Sequence, residues 1–542
     1  MKHTSTRARL MRATALIGAA ATLAAFALPT SATADRDRGK PKPGDSSQAL
    51  QKAVTTAGVM RHLQQFELIG DETGSRASGT PGYADSRDYV VQQLRKAGYR
   101  PTVQAFDFPF FEQLEDSVFE QTAPTPTTYV EDTDYGLMTY SGSGDVTAPV
   151  EAVDLNLGDL PGSTSGCEDS DFAGFTAGNI ALVRRGFCPF GDKVVNAQEA
   201  GAAAVIVMNT GTPGNEEAFA GTLGAPVATV PAIGTSFAIG EDLNVAGAEA
   251  RVATTTASEI RETWNVIAET RQGRQDNVVM AGAHLDSVTE GNGVNDNGSG
   301  SGALLEVAEQ FAEKVKKPKN TVRFAWWGAE ELNLLGSTYY VNQLADNNPG
   351  ALQDIALYLN FDMVGSPNYS LFVYDGDNSA FPPGPGAAVG PPGSGAIEQN
   401  FHRFFDRRGT GSAETAFSGR SDYGPFIAEG IPAGGLFTGA EGVKTEEQEE
   451  QFGGEAGVAY DVCYHSACDD LSNVNRDAIN HNSDAIADAI WTFARSTRPV
   501  NGERSGHNPA QKSAVKQHRG NGSLTGDDHR HGHRHGHELP LR

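Results

Sequence analysis

Three segments of this chain repeat one pattern: an apolar run, a polar turn carrying acids or histidine, then a helix. That repetition restricts the fold more than any other feature of the sequence. In the first segment Val278-Val279-Met280-Ala281 precedes His284 and a Gly-rich turn containing Asp296, after which Ala303, Leu304, Val307, Ala308 and Phe311 recur at helical spacing. In the second, Thr321 to Trp327 is an aromatic and β-branched strand that stops at Gly328-Ala329-Glu330-Glu331, and Leu332 to Leu344 is predicted as a helix. The third, Tyr358 to Gly365, carries Asp362 at its end. Strands alternating with helices predict an α/β domain with a central mixed sheet flanked by helices. In open sheets of this kind the functional crevice lies beyond the carboxyl ends of the strands.

Imidazole and carboxylate are ligands for zinc and similar divalent ions. Each group also has a plainer reading: acids such as Glu330 and Glu331 are favourable at a helix N-terminus, Asp362 suits a cap, and a lone His and Asp on Gly-rich loops suit solvent. A second histidine, His465, stands in the short loop Cys463-Tyr464-His465-Ser466-Ala467-Cys468. Two histidines and several carboxylates, mostly at strand ends, point jointly to a metal centre.

The stretches AGAHLDSV, NDNGSGSG, RFAWWGAEEL, LNFDMVGSPN, GRSDYGPF, GGLFTGA and CYHSACDDLSN, taken in order, resemble the co-catalytic dizinc aminopeptidases of peptidase family M28, in particular the secreted leucine aminopeptidases of Streptomyces type. The similarity runs from about Val59 to Phe106 and again from Trp264 to Phe493. It implies two Zn2+ per chain, one held by His284, the other by His465, with Asp296 bridging and Glu331 and Asp362 completing the set. It further implies Glu330 as general base, Tyr464 as an oxyanion donor, and Arg420 against the substrate backbone. Glu330 and Asp362 would hold the free α-ammonium, and Met363 and Phe437 would line an apolar pocket for a leucine-like side chain. The implied substrates are peptide or protein N-termini. Some relatives carry calcium on an early aspartate and two final-helix acids; here that pair reads Asn480 and Asp484 and no early aspartate matches, which puts calcium dependence in doubt. Two other readings stay open: a carboxypeptidase or glutaminyl-cyclase-like enzyme on the same scaffold, and a receptor-like binding protein without catalysis.

Residues 1–34 read as an export signal, with Lys2, Arg7, Arg9 and Arg12 before an apolar run and Ala32-Thr33-Ala34 as a cleavage site. Residues 35–47 suit a linker or pro-segment. The mature protein is expected to be secreted, free of the membrane and monomeric. With 42 Lys+Arg against 68 Asp+Glu, the formal charge is −26, which repels phosphate backbones and argues against nucleic acid as a partner. In an exported chain the four cysteines suggest disulfides, and their spacing suggests Cys167 with Cys188 and Cys463 with Cys468. A Cys/His zinc knuckle around His465 is the rival for the second pair.

Between Val103 and Glu259 the only lysine is Lys193, and Gly, Ala, Thr and Pro crowd short β-like runs. GNIALVRRGFCPFGDKVVNAQEAGAAAVIVMNTG resembles the protease-associated (PA) domain, which implies a mainly-β insert over 120–255 that covers or selects access to the site. The flanks, 48–115 and 256–498, would together build the peptidase domain. The Pro/Gly-rich stretch from Pro367 to Ser394 is expected to be a mobile surface loop. Residues 499–542 form a polar tail with a His-rich run whose composition predicts disorder.

Overall fold

The computed structural model describes residues 46–158 and 163–502; the expected export segment, most of the linker and the His-rich tail lie outside them. Helices α1 (Ser47–Ala53), α2 (Thr56–Thr73) and α3 (Pro81–Ala97) come first. Thr55 and Thr80 start α2 and α3 by accepting from Gly58 N and Tyr83 N, and Pro81 follows the second cap, since the first turn of a helix needs acceptors and loses nothing to a proline. β1 (Thr102–Ala123) leads into the insert, whose elements are β2 (Thr127–Thr128), β3 (Tyr135–Leu137), β4 (Gly144–Ala152), β5 (Ile180–Arg184), α4 (Phe190–Glu199), β6 (Ala204–Met208), β7 (Ala232–Thr235) and α5 (Phe237–Leu243); β8 (Glu249–Glu269) leads out. Then follow β9 (Arg274–His284), α6 (Gly300–Lys314), β10 (Asn320–Trp327), α7 (Leu335–Asn347), α8 (Pro349–Gln353), β11 (Ile355–Phe361), β12 (Phe372–Tyr374), α9 (Ser394–Arg408), β13 (Ala413–Thr415), α10 (Tyr423–Ala428), β14 (Ala433–Phe437), α11 (Glu446–Phe452) and α12 (Arg476–Arg495).

One sheet runs in the order β13-β12-β14-β11-β9-β10-β8-β4-β5-β6-β7-β3, with β1 on β8. At its centre β14, β11, β9 and β10 are parallel, so their carboxyl ends open on the same side. Alternation along these strands sorts side chains to two faces. Val279, Ala281, Trp326, Leu357 and Leu359 join the core under α2, α3, α6 and α12, while Met280, Trp327 and Tyr358 join the one under α7 and α10. Both faces are covered, which is why these strands read as unbroken apolar runs. β9 can pass close to its neighbours because Gly282 has no side chain: a Cβ there would lie 2.4 Å from the Tyr358 hydroxyl and 2.6 Å from Trp327 Nε1.

The insert grows from this sheet without a break. β1 and β8 pair antiparallel from Thr102↔Ile267 to Ala123↔Glu249, with irregularities near Gln113 and Val118, so both expected insert boundaries fall inside strands. In the insert β4, β5, β6 and β7 are parallel, around a core that includes Ile180, Leu182, Ile206 and Ile233. Both disulfides form, Cys167–Cys188 and Cys463–Cys468. The sulfurs of Cys463 and Cys468 are therefore bonded to each other, which removes the zinc-knuckle alternative. No helix of the described residues is long and apolar enough to cross a membrane.

Three expectations are corrected. α7 starts at Leu335, not Leu332, because Ala329, Asn333 and Leu334 take φ of 54°, 68° and 58°, a left-handed backbone that no helix continues through. The closing helix, which the sequence predicts over Leu471 to Phe493, starts at Arg476, where Asn475 accepts from Asp477 N and Ala478 N; Leu471–Asn473 is a separate single turn. The stretch from Pro367 to Ser394 is not all surface loop: Leu371 to Tyr374 is buried, and β12 pairs with β14 and β13. Even its outer part is tied down, since the Asp375 carboxylate accepts from Ser379 N, Ala380 N and Phe381 N at 2.7–3.0 Å.

Candidate active site

The parallel strands end together. Trp327 lies opposite His284, and Phe361 opposite Leu436. His284 is the last residue of β9, Glu330 and Glu331 follow β10, Asp362 follows β11, and Phe437 closes β14. Register thus brings residues far apart in the chain to one rim, and a cleft of about 290 Å³ opens there.

Asp296 occupies the middle. Its Oδ1 lies 3.3 Å from His284 Nε2, and its Oδ2 lies 3.3 Å from His465 Nε2. His284 Nε2 is also 3.2 Å from Asp362 and 3.8 Å from Glu330, whereas His465 Nε2 is 3.0 Å from Glu331. The adjacent glutamates therefore serve different imidazoles. The left-handed Ala329, whose N–H donates to Ser78 Oγ at 2.7 Å, turns the chain sharply just before them.

Outer groups hold these side chains in place. His284 Nδ1 sits 3.1 Å from the Asp286 carbonyl oxygen, and Glu330 N donates to the Asp286 carboxylate at 3.3 Å. Ser421 donates to Asp362 Oδ2 at 2.6 Å. The Asp469 carboxylate accepts from Asn295 N at 2.8 Å and Asp296 N at 2.9 Å, which fixes the loop carrying Asp296; the Asp296–Asn297 peptide in it is cis. Arg76, fully buried, donates to the carbonyls of Leu285, Asn292 and Gly293.

The electrostatics are those of a site short of positive charge. Burial opposes charge on His284, yet Glu330 and Asp362, with Asp286 and Asp296, lift its pKa well above the ordinary imidazole value. His465 is likewise opposed by burial and raised to about 10 by Asp296 and Glu331. Burial, then Asp296, pushes Glu331 up to about 7; burial, with Asp362 and Asp422, pushes Glu330 well above the carboxylate range. Burial would raise Asp296 too, but both imidazoles hold it low. Four carboxylates (Asp296, Glu330, Glu331, Asp362) share two imidazoles, and one oxygen of Glu331 is buried with no hydrogen-bond partner.

Arg420 donates to Tyr464 Oη at 3.1 Å and to Glu441 at 2.6 Å, so these three stand together at the mouth. Burial, with Asp296 and Glu331, keeps the Tyr464 phenol protonated by raising its pKa. The apolar wall contains Met363, Phe372, Tyr374 and Phe437, with Phe372 stacked on Phe437 at 6.1 Å. Cys463–Cys468 ties the loop of Tyr464 and His465, while Cys167–Cys188 lies in the insert. Asn480 accepts from Thr56 Oγ1 at 3.1 Å, and Asp484 pairs with Arg408; the two positions of the calcium comparison, one of them an amide, thus have protein partners here.

Sequence reasoning missed Phe372, Tyr374, Asp286, Ser421, Glu441 and Asp469. For the first two a signal existed, since Leu371-Phe372-Val373-Tyr374 is an aromatic and β-branched run bounded by Ser370 and Asp375-Gly376. None of the cleft's lining residues comes from the insert.

Known proteins are similar to this chain in sequence and fold. The family model described as Peptidase family M28 matches residues 265–490, and the PA domain model matches 146–243. An aminopeptidase of Pseudomonas aeruginosa (strain UCBPP-PA14) is 45% identical over 509 residues, 91% of this chain and 92% of that protein. Leucine aminopeptidase 2 of Trichophyton rubrum is 41% identical over 475 residues, 85% of this chain and 90% of that protein. Among solved structures, the aminopeptidase from Aneurinibacillus sp. strain AM-1 is similar with a TM-score of 0.56 at 25% identity, covering 83% of this chain and 96% of that one. A zinc aminopeptidase from Bacillus subtilis shares the fold with a TM-score of 0.52 at 23% identity, over 84% of this chain and 98% of that one. With nearly its whole length aligned to such relatives, the chain belongs to peptidase family M28 and carries an inserted PA domain.

Proposed function

We propose that the protein is a secreted, monomeric dizinc aminopeptidase that removes N-terminal residues from peptides and prefers bulky apolar ones such as leucine. The observation that carries this reading is Asp296, whose two carboxylate oxygens each face a different histidine at 3.3 Å. That donor set fits zinc: imidazole nitrogen and carboxylate oxygen are its ordinary ligands, and about 3.4 Å separates two such atoms on one tetrahedral ion. The buried, unpartnered oxygen of Glu331 fits the same purpose. In this reading His284 and Asp362 would hold one ion and His465 and Glu331 the other, with Asp296 available to both. Zinc at this position supplies Lewis-acid polarisation of the scissile carbonyl and acidifies a water for attack.

The chain's own residues do the rest. Glu330 takes the proton of the attacking water and returns it to the leaving amine. Tyr464, kept protonated by burial beside Asp296 and Glu331 and oriented by Arg420, donates to the developing oxyanion. Arg420, tethered by Glu441, meets the substrate backbone, and the first residue's side chain enters the wall formed by Met363, Phe372 and Phe437. Glu330 and Asp362 draw the α-ammonium to the same rim. The names of the Pseudomonas and Trichophyton relatives support aminopeptidase action, and two disulfides suit an oxidising exterior.

The test is hydrolysis of a panel of aminoacyl p-nitroanilides beside their N-acetylated forms, with zinc analysis of the same sample. Leucyl and other bulky apolar anilides are expected to turn over fastest, and acetylation to abolish turnover. Cleavage of acetylated substrates, a requirement for a free C-terminus, or no hydrolysis by zinc-loaded protein would each overturn the reading.

A further inference from the structure

A second histidine and carboxylate cluster lies away from the cleft, between α2 and α6. His62 on α2 is 1% exposed, and its Nε2 makes no hydrogen bond. That nitrogen points at two carboxylates of α6, lying 3.6 Å from Glu306 Oε2 and 3.8 Å from Glu309 Oε2. Glu306 and Glu309 are one helical turn apart, so their side chains project together. One ligand atom from each of the three residues falls within 4.8 Å of the others.

The surroundings arrange these groups for ligation. His62 Nδ1 is 2.7 Å from the Tyr89 hydroxyl; the tautomer that donates Nδ1–H to that oxygen leaves a lone pair on Nε2, the usual setting of a metal-bound imidazole. Gln310 Nε2 donates to Glu306 Oε1 at 3.2 Å, and Oε2 faces the cluster, where it also accepts from Arg61 Nη2 at 3.3 Å. Room for the buried carboxylate comes from Gly58 of α2, where an added Cβ would lie 2.3 Å from the Glu306 carboxylate carbon. The spacings of 3.6 and 3.8 Å exceed by only a few tenths the roughly 3.4 Å between nitrogen and oxygen ligands on tetrahedral zinc.

We propose that His62, Glu306 and Glu309 bind one zinc-like divalent cation that ties α2 to α6. Glu306 lies six residues into α6 from Gly300, roughly 9 Å along the axis, so the ion would anchor the helix whose first turn follows the Asp296 loop. The role is structural, since no residue of this cluster lines the cleft.

Arg61 offers the competing account. Its Nη2 is 3.3 Å from Glu306 Oε2 and 4.0 Å from Glu309 Oε2, and its side chain is 61% exposed. If guanidinium alone neutralises the acids, no ion is needed; if an ion binds, Arg61 competes with it. The full-length protein, dialysed against metal-free buffer, titrated with ZnCl2 and gel-filtered, separates these cases. The wild type is expected to hold about one zinc more than His62→Gln or Glu306→Gln, and Arg61→Ala to keep that ion, with leucyl anilide turnover of His62→Gln within about twofold of wild type. Equal zinc in wild type and both variants, or loss of the ion in Arg61→Ala, overturns the proposal. Should the variants misfold, wild-type crystals measured at the zinc edge decide: an anomalous peak bonded to His62 Nε2 is expected, and its absence overturns the site. Because the readout is zinc at His62, its failure leaves the aminopeptidase reading untouched.

Discussion

At the scale of single residues, the sharpest division is between Glu330 and Glu331, neighbours in sequence that face different histidines. If Glu331 is a ligand, Glu331→Ala loses zinc together with activity. If Glu330 is the general base, Glu330→Ala keeps its zinc while turnover falls by about 10² to 10⁴ fold. Metal analysis and anilide kinetics on both variants check this, and equal metal loss or full activity in Glu330→Ala would refute the assignment. Glu398 on α9 supports a second prediction. Burial, then Asp377 and Glu414, raises its pKa from 4.5 to about 7, although its carboxylate accepts from Gly376 N and Asp377 N. Between those pH values the folded chain keeps a proton that the unfolded chain has released, so this residue's contribution to stability falls as pH rises from 4.5 to 7. Glu398→Gln removes that dependence. Its melting temperature should match wild type below pH 4.5 and exceed it at neutral pH, and thermal scans across that range test the sign. At this scale His284, Glu330, Glu331 and Asp362 were legible because they follow apolar runs, whereas Asp296 in its Gly-rich turn and His465 in its cysteine-bounded loop gained their roles from the family resemblance. Asp469 and Glu441 were not legible, since they act on partners 173 and 21 residues away.

Among the elements, the ribbon of β1 and β8 decides how the insert relates to the site. Phe106, Phe108 and Phe110 of β1 pack with Ala329, directly under the turn that carries the glutamates, so this half of the ribbon belongs to the cleft's foundation. The other half carries the insert. Cutting at the paired residues Phe111 and Ser258 and closing the strands with a short turn should keep leucyl anilide turnover within about threefold, because no insert residue lines the cleft. Relative rates on longer peptides are then the measure of any selecting role. Loss of anilide turnover in a variant that keeps its circular dichroism would mean that the insert supports the site itself. The strands and helices of the main sheet were readable from period and caps. β12 offered only the composition of Leu371 to Tyr374, because a three-residue strand is too short for periodicity, and pairing with β14 makes it one.

For the whole molecule, charge and metal are linked. The chain carries −26, and four of its carboxyl groups are crowded at the cleft, where Glu330 and Glu331 are pushed above the ordinary carboxylate range. Zinc that binds only the folded chain stabilises it by mass action, about 4 kcal/mol at a thousandfold excess over Kd. Chelation is therefore expected to lower the melting temperature by several degrees and zinc to restore it. A melting curve unchanged by chelator, in protein shown to have lost its metal, would contradict a cation role for the cluster.

What the sequence by itself determined is what short-range physics writes into it: apolar runs bounded by turns, a His or acid after β9, β10 and β11, and cysteines spaced for local pairing. These sufficed for an α/β fold with candidate ligands at its strand ends; the assignment of roles to Asp296, Arg420, Tyr464, His465, Met363 and Phe437 came from the family resemblance. The tertiary structure alone decided which imidazole each carboxylate faces, that Phe372 stacks on Phe437, and that the insert extends the sheet without lining the cleft. It also brought His62 against Glu306 and Glu309. The physical reason is that strand register and helix packing are set by contacts between residues tens to hundreds of positions apart, and no local pattern records which distant partner a side chain will meet.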